Sequence, residues 1–238
     1  MPRPALFTVL LAAALVTTLS GCSAPAPAPV PTSAAPTPTP VVPTGDGVLR
    51  IGTLFPTSGD HAASGAAQVA GSEIAAREIT AQGGVLGQPV QMVHRNSAGD
   101  EAANFTNLIE RAVDAVLWDA RAAARPELAA SVAPAALLSL NDLVNGGTPL
   151  AVSADFGTRL TAADPGLTDT AGAAEAYDGV IATALAAIAT GDDGAASLET
   201  GWVMVRQGPA VCTSWGECVL ALHEGQQIEY QGLTGRQS

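Results

Sequence analysis

Lysine is absent from this chain: all ten basic residues are arginines, set against 22 acidic ones, for a formal net charge of −12. A nucleic-acid partner is thereby excluded, because a phosphate backbone demands a dense basic face. Aromatic residues are scarce at 4%, so the core has to be assembled from small aliphatic side chains and alanine. The three histidines, His61, His94 and His223, are scattered without ligand spacing, which excludes a histidine-based zinc site of the usual kind. The apolar run over residues 5–19 is only 15 residues long, short of the about 20 that a membrane-spanning helix needs.

What is present begins with a leader. Arg3, the apolar run and then Leu19-Ser20-Gly21-Cys22 read as an export signal over residues 1–21. The tetrapeptide resembles the bacterial lipobox, which implies cleavage before Cys22 and lipid modification of its sulfur; a bare signal peptide with a chance cysteine is the alternative. Residues 22–45 follow as a proline-rich stretch, with eight prolines between Pro25 and Pro43 and no charge. Such a composition buries no core and favours polyproline II. It reads as a tether able to reach roughly 70 Å at about 3.1 Å per residue, or else as a disordered tail. The folded domain is expected over residues 46–238.

Within that domain, residues 48–55 form a short apolar run ended by Pro56, as a buried parallel strand requires. A helix is expected from Ser64 or Gly65 to about Gln82, with Val69, Ile74 and Ile79 inward and Glu73 and Glu78 facing water, closed by Gly83 or Gly84 as a left-handed cap. Residues 90–94 and 114–118 read as further strands, and residues 100–112 as a second helix. The alternation predicts an α/β layer with a parallel sheet and right-handed crossovers. Residues 126–138 are expected to be helical, 149–153 to form a possible fourth strand, and 156–170 to be mostly turns. Residues 171–189 make the strongest helix, residues 202–206 a short strand or nothing regular. Thr213 or Ser214 caps a last short helix, with Glu217 completing a capping box.

Three separated islands carry a family resemblance. Pro56-Thr57-Ser58-Gly59 leads into a helix that ends in the segment from Ile79 through Gly83-Gly84-Val85-Leu86-Gly87-Gln88-Pro89; residues 160–169 and 174–180 follow, and then residues 212–235. Together they resemble, in order, the leucine/isoleucine/valine-binding family of type I solute-binding proteins of ABC transporters. The resemblance implies a Rossmann-like parallel sheet flanked by helices, one nearly complete lobe of the type I periplasmic-binding fold with a reduced second lobe. The middle of the chain is shorter than the family's, and its carboxyl end stops before the family's closing strands.

The same resemblance implies a ligand site. Thr57 and Ser58 match the family's ligand-touching loop. Ser64 stands where many members carry an aromatic residue. After the third strand, where the family places small hydroxyl residues that hold the ligand carboxylate, this chain has Asp119-Ala120-Arg121-Ala122. Arg121 can grip a carboxylate bidentately, or it is a solvated surface arginine. Tyr177 and Asp178 match the family's AYD motif, with helix packing an equal reading for Tyr177.

Other chemistry is thin. Cys212 and Cys218 in an exported chain suggest a disulfide; a metal pair would lack partners at the right spacing. Asp60, His61 and Ser64 share one loop, which is no triad without a base held by a separate rigid element. The glycines at 83, 84 and 87 follow a helix rather than a strand, the wrong order for a phosphate loop. Asn104-Phe105-Thr106 matches a glycosylation acceptor, of little weight in a bacterial lipoprotein. The expectation is a lipid-anchored, extracytoplasmic binding protein, not an enzyme, without cofactor. Its partners would be an amino acid-like small molecule, an ABC permease and the membrane through its anchor. The alternative is a degenerate homologue that no longer binds ligand and serves as a cell-surface interaction protein.

Overall fold

The computed structural model describes residues 42–119, 135–143 and 151–235. Cys22, Arg121 and the leader and most of the proline-rich stretch lie outside these residues. Strands β1 (Arg50–Phe55), β2 (Gln91–Asn96), β3 (Ala115–Trp118) and β4 (Ala136–Ser139) form one parallel sheet in the order β2-β1-β3-β4. Side chains alternate between its faces. Ile51, Phe55, Ala115, Leu117, Ala136 and Leu138 enter the larger core with helices α1 (Ala62–Ala81) and α4 (Ala173–Thr190), whereas Leu54 and Val116 enter a smaller one with Phe105 and Leu108 of α2 (Glu101–Glu110). A parallel sheet covered on both faces is the expected solution for strands this apolar.

The helices follow from local chemistry. Helix α1 ends where Gly83 and Gly84 adopt φ of 106° and 75°, and the Gly84 N–H donates to the Ile79 carbonyl. Asp100 caps α2 by accepting from Ala103 N–H at 3.0 Å. Helix α4 is buried along residues 173–187, so its alanines can lie against α1 at backbone distance: a Cβ added at Gly71 would overlap the Ala173 carbonyl. Helices apolar on every side belong inside a domain.

Elsewhere the expectations need correction. Residues 136–138, expected to be helical, pair with β3 in register Ala136↔Ala115; a short apolar run does not distinguish helix from strand, and the available sheet edge decides. Ala151, Val152 and Ser153 form no strand; Ser153 instead caps helix α3 (Ala154–Ala163), accepting from Phe156 N–H. That helix replaces the expected turns, held by Phe156 and Leu160 one turn apart in the core. Residues 202–204 close helix α5 (Ala195–Met204) around buried Trp202. Glu73 and Glu78 do not simply face water: Glu73 meets His94 at 2.8 Å, and Glu78 accepts from both Arg159 and Tyr177.

The carboxyl end adds β5 (Ala210–Cys212), α6 (Trp215–His223) and β6 (Ile228–Tyr230), with β5 and β6 paired in parallel. Ser214 caps α6 by accepting from Glu217 N–H, and the Glu217 carboxylate accepts from Thr213 N–H rather than from Ser214. Cys212 and Cys218 are joined, with sulfurs 2.07 Å apart.

Candidate ligand-binding site

In an open parallel sheet, ligands bind outside the carboxyl ends of the strands where the strand order reverses. Here that point lies between β1 and β3, since the chain runs from β1 outward to β2 and then crosses to β3 on the other side. Thr57 and Ser58 leave the end of β1 and Asp119 leaves the end of β3, so the topology brings three of the expected site residues to one edge. Gly65 lets α1 start hard against this loop, because a Cβ there would overlap the Pro56 carbonyl.

The loop after β1 is knitted to the end of β2 by Asn96. Its Oδ1 accepts from the N–H groups of Thr57 at 2.9 Å and Ala98 at 3.0 Å, and its Nδ2 donates to Ser58 Oγ at 2.7 Å. Thr57 and Ser58 are exposed. Ser64 is buried, and its hydroxyl donates back to the His61 carbonyl at 2.9 Å, which spends it on the start of its own helix. Ser139, at the end of β4, accepts from Asn141 N–H.

Asp119 is 7% exposed, and Gln68 from the second turn of α1 donates Nε2–H to its Oδ2 at 2.7 Å. Gln68 is itself 1% exposed, and its Oε1 has no hydrogen-bond partner among the described residues. Gly172, with φ of 81°, lies against this amide: a side chain there would run into Gln68 Nε2 and Cγ. Sequence reasoning passed over Gln68 and Asn96. Asn96, the last residue of a strand at its carboxyl edge, held a position that carried a signal; Gln68, within the alanine-rich helix α1, held one that did not.

Tyr177 and Asp178 lie apart from this edge. Tyr177 donates to Glu78 Oε2 at 2.8 Å, ten residues beyond Gln68 and so about 15 Å further along α1. Arg159 pairs with the same carboxylate at 2.7 Å and lies over the Tyr177 ring, while Phe156 meets that ring edge-on. Burial, and next the Glu78 carboxylate, push the phenol well above its ordinary value. Asp178 is fully buried and accepts from Tyr230 Oη at 2.6 Å, Leu233 N–H at 3.0 Å and Thr234 N–H at 2.7 Å. Burial raises its carboxyl, and these donors pull against it. Both residues of the motif therefore hold elements together.

His94 spans the sheet and α1, with Nδ1 at 2.7 Å from Thr53 Oγ1 and Nε2 at 2.8 Å from Glu73. The arrangement has the order of a triad, yet Thr53 is 0% exposed and has no reach to a substrate; it is an interior polar thread. No group of three or more histidine, cysteine or acidic residues able to hold a metal occurs among the described residues. No described helix is long and apolar enough to cross a membrane.

A family model for periplasmic binding proteins matches residues 48–205. No curated protein matches the sequence. Among solved structures, the substrate-binding protein LivJ of the branched-chain amino acid transporter of Streptococcus pneumoniae, in complex with isoleucine, is similar over 79% of this chain and 91% of its own, at 16% identity and a TM-score of 0.50. A putative branched-chain amino acid ABC transporter protein from Silicibacter pomeroyi aligns over 78% of this chain and 46% of its own, at 18% identity and a TM-score of 0.35. The fatty acid ABC transporter substrate-binding protein from Thermomonospora curvata aligns over 80% and 45%, at 10% identity and a TM-score of 0.31. The pneumococcal likeness concerns the fold, and the other two are too loose to add to it. With the family model running from before β1 to the end of α5, this chain belongs to the periplasmic binding protein family.

Proposed function

We propose that the chain is the solute-binding component of an ABC transporter, exported, held to the outer face of the membrane by lipid on Cys22, and carrying amino acids or similar small polar ligands to a permease. The observation that carries this reading is the switch-point edge, to which the carboxyl ends of β1, β2 and β3 bring the Asn96-knitted loop of Thr57 and Ser58 and the Gln68–Asp119 pair. Exposed hydroxyls beside a buried charged residue are the few convergent polar groups that a small-molecule site needs. That the pneumococcal protein of this fold holds isoleucine favours an amino acid. The folded unit would be residues 46–238, with residues 22–45 as spacer. Arg121, if it reaches the edge, would take a ligand carboxylate.

Isothermal calorimetry of the purified chain against amino acids, amides and small carboxylates tests this. Heat and a thermal shift at millimolar ligand are expected; their absence across the panel sinks the reading. A second reading, an interaction protein that no longer captures solute, draws on the small size of the second sheet, two strands of three residues each. Small-angle scattering separates them, since a two-lobed molecule contracts on binding and a single lobe does not.

A further inference from the structure

We propose that the carboxyl-terminal arm carries a second ligand site, a cavity that takes a short aliphatic molecule with a hydrogen-donating head, an alcohol or an ammonium, and refuses a carboxylate. The cavity has a volume of about 490 Å³, within the range that small-molecule sites occupy. None of its lining residues belongs to the sheet edge described above. Three helices end on it: Ile188 and Ala189 come from the last turn of α4, Val203 and Met204 from that of α5, and Leu222 and His223 from that of α6. Ile228, wholly buried at the start of β6, lines it as well.

The lining decides the chemistry of the occupant. Val203 and Met204 line the cavity yet stay 48% and 46% exposed, so folding leaves apolar surface there that an aliphatic body can cover, and a methionine side chain adapts to its shape. No carboxylate or arginine is part of the lining; its polar side chains are His223 and the amides of Gln207, Gln226 and Gln227. Glu224 takes Gln226 Nε2–H at 2.9 Å, which leaves the oxygen of that amide to accept. Arg206, beside Gln207 in sequence, donates its Nε–H to the Trp202 carbonyl. An entering carboxylate therefore meets no cation in the lining. The helices act in the same sense, because each carboxyl terminus carries partial negative charge and three of them converge here. A hydroxyl or ammonium turns its hydrogens toward that charge, whereas an anion is repelled. The chain's net charge of −12 adds to this at longer range.

Octanol, octylammonium and octanoate share one aliphatic body and serve as the probes. Each is titrated at neutral pH into the full-length chain carrying carbon-13 in its methionine methyl groups. Met204 lines the cavity and Met92, on β2, does not, so Met92 is the internal reference. The Met204 signal is expected to shift saturably with octanol and octylammonium while that of Met92 stays, and octanoate to need at least about tenfold more for the same shift. Val203→Arg, at a half-exposed position, adds a guanidinium to the lining and is expected to improve octanoate about tenfold. Equal response to the three probes, a preference for octanoate, parallel shifts of both methionines, or a Met204 signal that no probe moves overturns the proposal. So does an unchanged order of probes in a variant that circular dichroism shows to be folded. The wild-type series decides even if the variant fails to fold.

Discussion

Two buried aspartates in this domain are treated in opposite ways by their surroundings. Around Asp178, on α4, three protein donors converge: a phenol and two backbone N–H groups from the turn that follows β6. Asp119, at the end of β3, accepts from the Gln68 amide, whose oxygen has no partner among the described residues. The first arrangement spends every donor within the fold and so behaves as a bolt between α4 and the carboxyl-terminal arm. The second lies at the carboxyl edge of the sheet, beside the point where the strand order reverses. Burial alone does not set a carboxylate's part in the fold; the elements that supply its donors do.

The strongest way to break that contrast is Asp178→Ala. It leaves a buried phenol and two backbone donors unmet, and a loss of about 4 kcal/mol is expected. Urea denaturation measures it, and an unchanged midpoint would remove the bolt from the argument. Replacing Cys212 and Cys218 by serine loosens the same arm by releasing its closed loop. With a sequence separation of six, about 2 kcal/mol is expected from loop entropy, read as a lower melting temperature without altered binding at the sheet edge.

Asp114 sharpens the contrast from a third position. It precedes β3 and accepts Arg50 N–H at 2.7 Å, but burial, against that bond and with help from Asp193, lifts its carboxyl from 3.8 to about 7. The folded chain thus holds a proton that the unfolded chain has released, and stability declines as pH rises between those values and levels off above the upper one. Because solvent still reaches the group, the slope amounts to of order 1 kcal/mol. Asp114→Asn should flatten it, which melting curves across this pH window would show. Ser58→Ala is the smallest case: the residue is exposed, so stability should change by less than about 0.5 kcal/mol in the same assay. A larger loss would mean that the loop is part of the frame.

Much of the lobe was legible because its signals were local. The apolar run before Pro56, the glycine pair after α1 and the Ser214 cap of α6 each act within a few residues. The segment at 136–139 was not, because its strand character comes from β3 beside it and from nothing in its own pattern. Helix α3 was missed for a related reason: Thr158, Thr161 and Gly157 look like turn residues, and only Phe156 and Leu160 reaching a distant core make them helical. At the candidate site, the family resemblance pointed to Thr57, Ser58 and Asp119, and the structure puts them at the ends of β1 and β3. Gln68 stayed hidden, since a glutamine in an alanine-rich helix acquires its meaning only when Asp119 is brought against it from 51 residues away. The motif residues Tyr177 and Asp178 pointed to the right family, yet within this chain their contacts are with Glu78, Arg159 and the carboxyl-terminal turn.

One further contact has a consequence for the order of events during synthesis. Where the proline-rich stretch enters the domain, the N–H groups of Thr44 and Gly45 donate to Asp192 and that of Gly47 donates to Asp193. Partner and donor are separated by 147 residues in the Gly45 pair. A ribosome therefore releases nearly the whole chain before its amino-terminal segment can be fastened. Contacts of such long range are also the last to be rewarded during folding. The segment at residues 44–47 is thus fastened only once α4 and the turn after it exist.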